Sequence, residues 1–438
     1  MTQIELLYKH YKDHPKAVTD SRKIEEGSIF FALKGPRFNG NDYAAQAIQK
    51  GACMAVIDEP PLEMDEKYFL VEDVLQTLQM LARHHRRQFT IPVIAITGSN
   101  GKTTTKELLN VVLSSHYPTH CTKGNLNNHI GVPLTLLEMA DDTEVAIIEM
   151  GANHVGEIKF LCELAEPTHG LITNIGKAHL EGFGSLEGVK QGKSELYRFL
   201  AAQGGMVFVN GDESYLEDLA LTNPYKVLYQ ESQYPTPNCQ VLETKLIASR
   251  PYVVAGFRDT EEWVEVHTNL TGDYNFNNLM TGISLGRYFK VPADKIKTSI
   301  EGYIPVNNRS QLLKVDSNTF LMDAYNANPD SMQKALENFA KAKEKKKVVI
   351  LGDMLELGTY SAAEHQKMLE FADKLPIDQI LTVGAEFGKV GYVAEADRLQ
   401  HFENVEALKE WFSKQLFSDT YFLLKGSRAI CLEKLVGI

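Results

Sequence analysis

The hydrophobic residues of this chain fall mainly into short apolar runs, separated by longer segments in which apolar residues recur at helical spacing. Uninterrupted apolar runs are typical of parallel strands that helices cover on both faces. In the middle of the chain, such runs predict strands at residues 93–96, 145–148, 170–173 and 205–209. The pattern therefore predicts an α/β fold with a parallel sheet at its centre.

The pattern changes twice along the chain, which indicates three domains. At 438 residues, the chain is also too long for one ordinary hydrophobic core. The first part is a small α/β unit, and the last part contains at least four strand–helix units. A break that contains Pro and Asn, at residues 303–308, precedes the last part. We place the domains at residues 1–88, 89–306 and 307–438.

The outer domains have strands and helices of their own. The predicted strands lie at residues 28–33, 54–57, 320–322, 348–351, 379–383 and 421–424, and the predicted helices at residues 43–50 and 75–87. The second of these helices ends in a basic run at residues 84–87, and a lysine-rich run follows later at residues 341–347. The first run has a phosphate patch as its alternative. We interpret both runs as solvated helix ends, because cations are favourable near a helix C-terminus.

Composition narrows the class of protein. The chain carries 57 acidic and 45 basic residues, a formal net charge of −12, whereas nucleic-acid binding calls for a basic face. The five cysteines are scattered and form no close pair of the kind that binds zinc. The first 20 residues are rich in Lys, His, Asp and Glu and lack the apolar core of a signal peptide, and no apolar run has the length of a membrane span. We therefore expect a cytoplasmic protein that binds no nucleic acid and has no transmembrane segment.

The segment at residues 97–105, Thr-Gly-Ser-Asn-Gly-Lys-Thr-Thr-Thr, joins a predicted strand to a predicted helix. Glycines let backbone N–H groups approach phosphate oxygens, and the helix N-terminus adds positive potential. The residues that we assign to nucleotide binding here are Gly98, Asn100, Gly101, Lys102, Thr103 and Thr104. The alternative is an ordinary strand–helix turn capped by threonine. The generic phosphate-loop motif also has Gly where this chain has Ile96.

Polar residues follow two other strands of the predicted central sheet. Glu149 ends one strand and His179 follows the next, so both are placed to hold a metal ion beside Thr103. The alternative for each is an ordinary polar residue of a turn or core. Lys193, judged from the residues alone, is predicted to be an ordinary surface lysine.

Two turns of the last domain also carry candidate binding residues. Asp323 ends a predicted strand and can hold ribose hydroxyls, and the loop at residues 325–328 offers amide donors and acceptors. Asn328 can also cap the helix that follows. The cationic turn at residues 425–428, after the last strand, suits a carboxylate or phosphate.

Together these segments resemble the ATP-dependent Mur ligases of bacterial peptidoglycan synthesis. Residues 97–103 are similar to the short phosphate loop that this family shares with folylpolyglutamate synthases, which accounts for Ile96. Residues 20–35 resemble the uridine-nucleotide domain of the family. The segments most similar to the family member that adds D-alanyl-D-alanine to UDP-N-acetylmuramoyl-tripeptide are residues 123–134, 149–154, 323–332, 351–358 and 425–428.

The resemblance implies a small N-terminal α/β domain for the uridine nucleotide, a central parallel-sheet ATPase domain and a C-terminal Rossmann-like domain. The catalytic residues that it implies are Lys102, Glu149, His179 and Lys193, and the Mg²⁺ ligands are Thr103, Glu149, His179 and a carbamylated Lys193. Further ATP contacts are implied for Asn275, Asn278, Arg309 and Asp323. Substrate contacts are implied for Ser21, Arg22, Asn125, Asn127, Asn128, Tyr325, Asn326, Asn328, Lys425, Ser427 and Arg428.

The activity that the resemblance implies is an ADP-forming ligase that acts through an acyl phosphate, with UDP-N-acetylmuramoyl-tripeptide and D-alanyl-D-alanine as substrates. We expect it to be a monomer. Another Mur ligase and a folylpolyglutamate synthase are alternatives, although the latter has no need of a uridine domain. A nucleotide-binding regulator that hydrolyses ATP slowly is an alternative from a different class.

Overall fold

The computed structural model describes residues 2–61, 65–231, 242–306, 308–344, 346–392 and 398–436. Asn307, where the predicted third domain begins, and Cys239 lie outside these ranges. The described residues form sheets of four, nine and six strands and one two-stranded hairpin. Within these ranges, no helix is both long enough and apolar enough to cross a membrane.

The first sheet has four parallel strands in the order β1-β2-β5-β6, with the short antiparallel hairpin β3–β4 beside it. Helix α1 begins with a capping box, in which Thr2 and Glu5 each bind the other's backbone N–H. The elements are α1 Gln3–Asp13, β1 Ala17–Val18, β2 Ile29–Phe31, β3 Lys34–Gly35, β4 Phe38–Asn39, α2 Ala44–Gln49, β5 Met54–Ile57, β6 Tyr68–Leu70 and α3 Val74–Arg86.

The second sheet has nine strands in the order β15-β14-β13-β12-β11-β10-β7-β9-β8, parallel from β8 to β13 and antiparallel at the β13–β14–β15 edge. Its strands are β7 Val93–Thr97, β8 Thr119–Cys121, β9 Val145–Glu149, β10 His169–Ile172, β11 Met206–Asn210, β12 Tyr225–Glu231, β13 Leu242–Ala248, β14 Val254–Asp259 and β15 Glu262–His267. Its helices are α4 Lys102–Ser114, α5 Gly131–Leu137, α6 Glu157–Ala165, α7 Leu180–Phe183, α8 Leu186–Lys193, α9 Glu195–Gln203, α10 Ser214–Leu219, α11 Asn275–Tyr288 and α12 Ala293–Glu301.

The third sheet has the order β16-β17-β21-β18-β19-β20, and all of its pairs are parallel except the edge pair β16–β17. Its strands are β16 Gln311–Val315, β17 Asn318–Asp323, β18 Lys346–Gly352, β19 Gln379–Val383, β20 Leu399–Phe402 and β21 Thr420–Lys425. Its helices are α13 Pro329–Ala340, α14 Ser361–Asp373, α15 Ala385–Gly388 and α16 Val405–Phe412. The predicted α/β class with three domains is confirmed.

The core of the central sheet explains its uninterrupted apolar strands. Along β7, Val93 and Ala95 pack into the cluster that contains α5, α6 and α9, whereas Ile94 and Ile96 pack into the cluster that contains α4 and α11. All four side chains are fully buried. Because helices cover both faces, neither face of the strand has a position for a polar residue until the strand reaches its carboxyl end.

The first basic run is not simply a solvated helix end, and this interpretation is wrong for its central residues. Arg86 is 5% exposed, and its guanidinium donates to the carbonyls of Ala165 at 2.8 Å and Glu166 at 2.9 Å. Ala165 is the last residue of α6, where the final carbonyls have no partner within the helix. Arg86 therefore caps a helix of the central domain and joins the first two domains.

The prediction of a solvated helix end is also wrong for the last residue of the lysine-rich run, Lys347. Lys347 belongs to strand β18 and is 8% exposed, with Nζ donating to the carbonyl of Ala340 at 2.9 Å and to that of Ala342 at 3.3 Å. Ala340 ends α13, so this cation also satisfies carbonyls at a helix C-terminus.

Replacing Arg86 with methionine should destabilise the protein, because the buried carbonyls of Ala165 and Glu166 lose their donors. We expect the free energy of unfolding to fall by about 3 kcal/mol, measured from the first unfolding transition that appears as the denaturant concentration rises. Arg83→Met is the matched control on the same helix, since Arg83 forms only an exposed ion pair with Glu166 and should cost less than about 1 kcal/mol. Equal losses in the two variants would contradict the capping role.

Candidate functional site

The carboxyl ends of β7, β9 and β10 lie at one edge of the central sheet, where the C-terminal domain faces them across a cavity of about 800 Å³. This is the edge where open parallel sheets bind ligands. The residues predicted for the site that line the cavity are Asn100, Gly101, Lys102, Thr103, Thr104, Asn125, Asn127, Asn128, Glu149, His179, Asn275, Asn278, Arg309, Asp323, Tyr325, Asn326 and Lys425.

The turn between β7 and α4 has the shape that its glycines allow. Gly98 and Gly101 have φ of 141° and 80°, which residues with side chains rarely adopt. A Cβ at Gly98 would lie 2.0 Å from Oγ1 of Thr173, and a Cβ at Gly101 would lie 2.3 Å from Oδ1 of Asn278. The two glycines let the loop pack closely against Thr173 and Asn278. The N-terminus of α4 then lies at the cavity, where it is a suitable site for phosphate.

Lys102, the first residue of α4, folds back over this loop. Its Nζ donates to the carbonyl of Gly98 at 2.8 Å and to that of Ser99 at 3.2 Å. Burial lowers the pKa of the Lys102 ammonium, Arg309 acts in the same direction, and the negative charge of Glu149 opposes both. The loop therefore holds a cation at the place where phosphate oxygens would approach it.

Glu149, the last residue of β9, has one carboxylate oxygen in use and one without a hydrogen bond. Oε1 accepts hydrogen bonds from Nδ2 of Asn127 at 2.7 Å and from Oγ1 of Thr103 at 3.3 Å. Oε2 is buried, has no hydrogen-bond partner among the described residues, and lies 3.8 Å from Nζ of Lys106. Lys106 compensates its charge, but this oxygen accepts no hydrogen bond among the described residues and can still bind a cation, and Mg²⁺ prefers carboxylate ligands.

The described residues contain no ready-made group of three His, Cys, Asp or Glu side chains that could hold a metal ion. The neighbouring oxygens of Thr103 and Glu149 are placed to hold a cation together with oxygen atoms from a ligand. That is the usual way in which Mg²⁺ binds beside a phosphate, through one or two carboxylates.

His179 follows β10 and has a left-handed backbone, with φ of 55°. Its Nδ1 is hydrogen-bonded to Oε2 of Glu356, which belongs to the C-terminal domain. This hydrogen bond lowers the pKa of the Glu356 carboxyl, and the positive charge of Lys102 acts in the same direction. The cavity wall at His179 is therefore built from two domains.

Lys193 is fully buried, so the prediction of an ordinary surface lysine is wrong. It ends α8 and is not among the described residues that line the cavity. Its Nζ donates to the carbonyl of Ala152 at 3.0 Å and lies 5.2 Å from the centre of the Phe183 ring. Burial holds the pKa of this ammonium well below its usual value, and the charge of Lys102 adds to the effect.

Asn275 and Asn278, at the start of α11, are buried and form a hydrogen-bonded chain. Nδ2 of Asn278 donates to Oδ1 of Asn275 at 2.9 Å, and Oδ1 of Asn278 accepts from the hydroxyl of Thr105 at 3.1 Å. Nδ2 of Asn275 donates to the hydroxyl of Ser310 at 3.0 Å. The chain connects the helix of the phosphate loop with the beginning of the C-terminal domain.

The C-terminal domain brings two arginines to one aromatic ring. The guanidinium of Arg309 lies 3.5 Å from the centre of the Tyr325 ring, and that of Arg428 lies 5.1 Å from it. Asp323 forms an ion pair of 2.9 Å with Lys425, whose Nζ also donates to the carbonyl of Asn326 at 2.8 Å. Lys425 is thus already paired, and Arg309, which lines the cavity, is better placed to meet an anionic ligand.

Asn328 has both of the roles that its position in the sequence allows. Its Oδ1 caps α13 by accepting from the backbone N–H of Ser331 at 2.9 Å. Its Nδ2 donates to Oδ1 of Asn100 in the phosphate loop at 2.7 Å. Two residues further, Oδ2 of Asp330 accepts from the backbone N–H of Lys177 at 2.7 Å. The N-terminus of α13 therefore contacts both the phosphate loop and the loop after β10.

The structure does not bring every predicted residue to the cavity. Besides Lys193, the predicted residues that are not among the described residues that line it are Gly98, Asn328, Ser21, Arg22, Ser427 and Arg428. Arg22 forms an exposed ion pair with Asp20, with 2.8 Å between Nη2 and Oδ2. The hydroxyl of Ser427 accepts from the backbone N–H of Leu355 at 3.0 Å, which fixes the loop after β18.

Three residues of the site were not assigned a role from the sequence. Lys106, Asp330 and Glu356 each bind across to another segment of the site. Asp330 lies at the start of α13, just after the loop that follows β17, and Glu356 lies in the loop after β18. The signals that sequence offers for them are these positions and the similar segments at residues 323–332 and 351–358. Lys106 gives no such signal, because it lies within a regular helix.

Three models of the Mur ligase family match this chain. The model described as Mur ligase family, catalytic domain, matches residues 18–86. The Mur ligase middle domain matches residues 96–286, and the Mur ligase, glutamate ligase domain, matches residues 308–428.

Similar proteins extend over nearly the whole chain. The UDP-N-acetylmuramoyl-tripeptide--D-alanyl-D-alanine ligase of Bacillus subtilis (strain 168) is 34% identical, covering 95% of this chain and 91% of its own length. A crystal structure of MurF from Acinetobacter baumannii has a TM-score of 0.82 at 30% identity, over 99% of this chain and 97% of that one. A MurF ligase from Thermotoga maritima in complex with ADP has a TM-score of 0.82 at 25% identity, over 96% of each chain. This chain belongs to the Mur ligase family.

Proposed function

We propose that this protein is an ATP-dependent ligase that joins D-alanyl-D-alanine to UDP-N-acetylmuramoyl-tripeptide in peptidoglycan precursor synthesis. The products are UDP-N-acetylmuramoyl-pentapeptide, ADP and phosphate. The observation that carries the proposal is the two-domain cavity, in which the phosphate loop faces the arginine-flanked Tyr325. The name and coverage of the Bacillus subtilis relative support the choice of substrates. We further propose that the enzyme acts as a monomer in the cytoplasm.

The reaction has two steps. The terminal carboxylate of the tripeptide attacks the γ-phosphate of ATP, which gives an acyl phosphate and ADP. The amine of D-alanyl-D-alanine then attacks the acyl carbon, and phosphate leaves. Lys102 and the N-terminus of α4 stabilise the charge on the phosphate oxygens during transfer.

The residues around the phosphate loop fit Mg²⁺. Thr103 and Glu149 would hold one ion, and Oε2 of Glu149, buried with no hydrogen bond among the described residues, supports this assignment. His179 and a carbamylated Lys193 are the ligands that we propose for further Mg²⁺. The ion supplies positive charge that offsets the charge of the phosphates.

A carbamate at Lys193 is chemically reasonable. Only a neutral amine reacts with CO₂, and burial keeps the pKa of Lys193 well below its usual value. The neutral lysine nitrogen forms a bond to the carbon of CO₂ and loses one proton, so the neutral amine becomes an anionic carbamate. Such an oxygen anion is a ligand that Mg²⁺ prefers, whereas an ammonium repels it.

Substrate contacts come from both sides of the cavity. We assign Asn125, Asn127 and Asn128 to the tripeptide, and Asn326, Asn328 and the turn at residues 425–428 to the dipeptide with its carboxylate. Asn275, Asn278, Arg309 and Asp323 are assigned to the nucleotide. Ser21 and Arg22, in the first domain, are assigned to the uridine end.

Release of ADP should require both UDP-N-acetylmuramoyl-tripeptide and D-alanyl-D-alanine. A coupled assay for ADP, with each substrate left out in turn, measures this dependence. Parallel reactions with lysine and diaminopimelate as the third stem residue identify the natural tripeptide. ATP turnover that neither substrate changes would overturn the proposal and favour a nucleotide-binding regulator.

Lys193→Ala should abolish ligase activity, and added bicarbonate should not restore it. Nuclear magnetic resonance with ¹³C-labelled bicarbonate should detect a carbamate signal in the original protein and none in this variant. Lys190→Ala, on the same helix, is the matched control and should keep both the signal and the activity. Full activity of Lys193→Ala would refute the carbamate assignment.

Gly176→Ala should impair closure of the site, because a Cβ at this position would lie 2.4 Å from Oδ2 of Asp330. We expect kcat/KM to fall about tenfold or more, the equivalent of one hydrogen bond to a charged group. The ratio of ADP to pentapeptide should rise, since water then reaches the acyl phosphate. Gly391→Ala is the control, because a Cβ at that position would have no described residue within 4 Å. Equal kcat/KM and equal product ratios in the two variants would contradict this role of Gly176.

A further inference from the structure

Glu356 reaches from the loop after β18 to the central domain and contacts it at two points. Its carboxylate oxygen Oε2 accepts a hydrogen bond from Nδ1 of His179. Its backbone carbonyl accepts a hydrogen bond from the backbone N–H of Glu181 at 3.1 Å. One residue of the C-terminal domain therefore holds the turn that carries His179.

Both residues of this pair have unusual backbone conformations. The φ angles are 55° at His179 and 62° at Glu356, in the left-handed region that residues other than glycine seldom occupy. Such conformations persist where surrounding contacts hold them, and they are frequent at functional sites. Here the two strained residues hold each other across a domain boundary.

The hydrogen bond also determines which ring nitrogen of His179 carries the proton. An ionised carboxylate accepts hydrogen bonds and does not donate them, so the ring nitrogen that faces Glu356, Nδ1, carries a proton in this pair. In the neutral imidazole, Nε2 is left with its lone pair, which is the form that binds a cation. A carboxylate bound to the other ring nitrogen is the usual means of orienting a metal-binding histidine.

We propose that Glu356 is a positioning residue: it orients His179 and sets its tautomer when the C-terminal domain is docked on the central domain. The orientation and the tautomer of His179 that suit cation binding are then available only when the two domains are docked. The expected effect of Glu356 on catalysis rests on the proposed ligase function. The orientation of His179 itself does not depend on that function.

A purely structural role in domain docking is the competing explanation, and the chain offers a matched control for it. The hydroxyl of Tyr360, four residues after Glu356, donates to the carbonyl of Gly184 at 3.2 Å. This bond joins the same loop to the same turn of the central domain without contacting His179. Tyr360→Phe therefore removes a docking contact and leaves the histidine untouched.

In the full-length protein, Glu356→Ala should lower kcat about 10- to 100-fold, with the KM for ATP changed less than about twofold. Glu356→Gln keeps an oxygen that accepts a hydrogen bond and should recover part of kcat. Tyr360→Phe should stay within about twofold of the original protein. A loss of kcat in Tyr360→Phe as large as that in Glu356→Ala would assign the effect to docking and overturn the proposal.

Nuclear magnetic resonance of ¹⁵N-labelled histidine provides a readout that needs no activity and no metal. The His179 signal is identified by its absence in His179→Gln. We expect the tautomer protonated on Nδ1 in the original protein and in Tyr360→Phe, and a mixture of tautomers in Glu356→Ala. An unchanged His179 signal in Glu356→Ala and Glu356→Gln overturns the proposal, whatever their activities. If the original protein releases no ADP with both substrates, the ligase function fails, and this experiment still decides the role of Glu356.

Discussion

The exchange of hydrogen bonds between the phosphate loop and the end of β10 is the interaction on which the rest of the site depends. The backbone N–H of Asn100 donates to Oδ1 of Asn174 at 3.0 Å, and Nδ2 of Asn174 returns a bond to the carbonyl of Asn100 at 3.0 Å. The hydroxyl of Thr173 binds the same carbonyl at 2.7 Å. With its own polar groups satisfied in this way, the loop keeps a single shape. The side-chain oxygen of Asn100 accepts a hydrogen bond from Asn328 of the C-terminal domain. Asn100 therefore contributes both to the shape of the loop and to the docking of that domain.

Sequence patterns predict those parts of this fold in which one physical rule acts alone. The central strands were predictable because burial on both faces excludes polar residues from them. Strand β16 was not, since it is an edge strand whose residues are half-buried or exposed, and an edge strand needs no apolar run. The site residues at strand ends, such as Glu149, were predictable for the same reason that parallel sheets bind ligands at one edge.

Charged residues were predicted less well, because their surroundings come from distant parts of the chain. A lysine at the end of a helix is usually solvated, but Lys193 lies beneath the ring of Phe183 and is fully buried. Arg86 and Lys347 follow the rule that cations suit helix C-termini, but each caps a helix other than its own element. Arg86 lies on α3 and caps α6, and Lys347 lies on β18 and caps α13. The sequence contains the cation and the helix end, and only the fold shows which of them meet.

The position of Lys106 has a consequence for the protein between turnovers. Its ammonium is 1% exposed, lies 3.8 Å from the Glu149 carboxylate, and binds the carbonyls of Thr122 and Gly124. Without such a partner, the buried carboxylate would place an uncompensated charge in the folded state whenever the site is empty. With a resident counter-ion built into α4, the fold does not depend on its ligands for charge balance. The charge of Glu149 is thus offset by a residue of the chain itself, whether or not a ligand is bound.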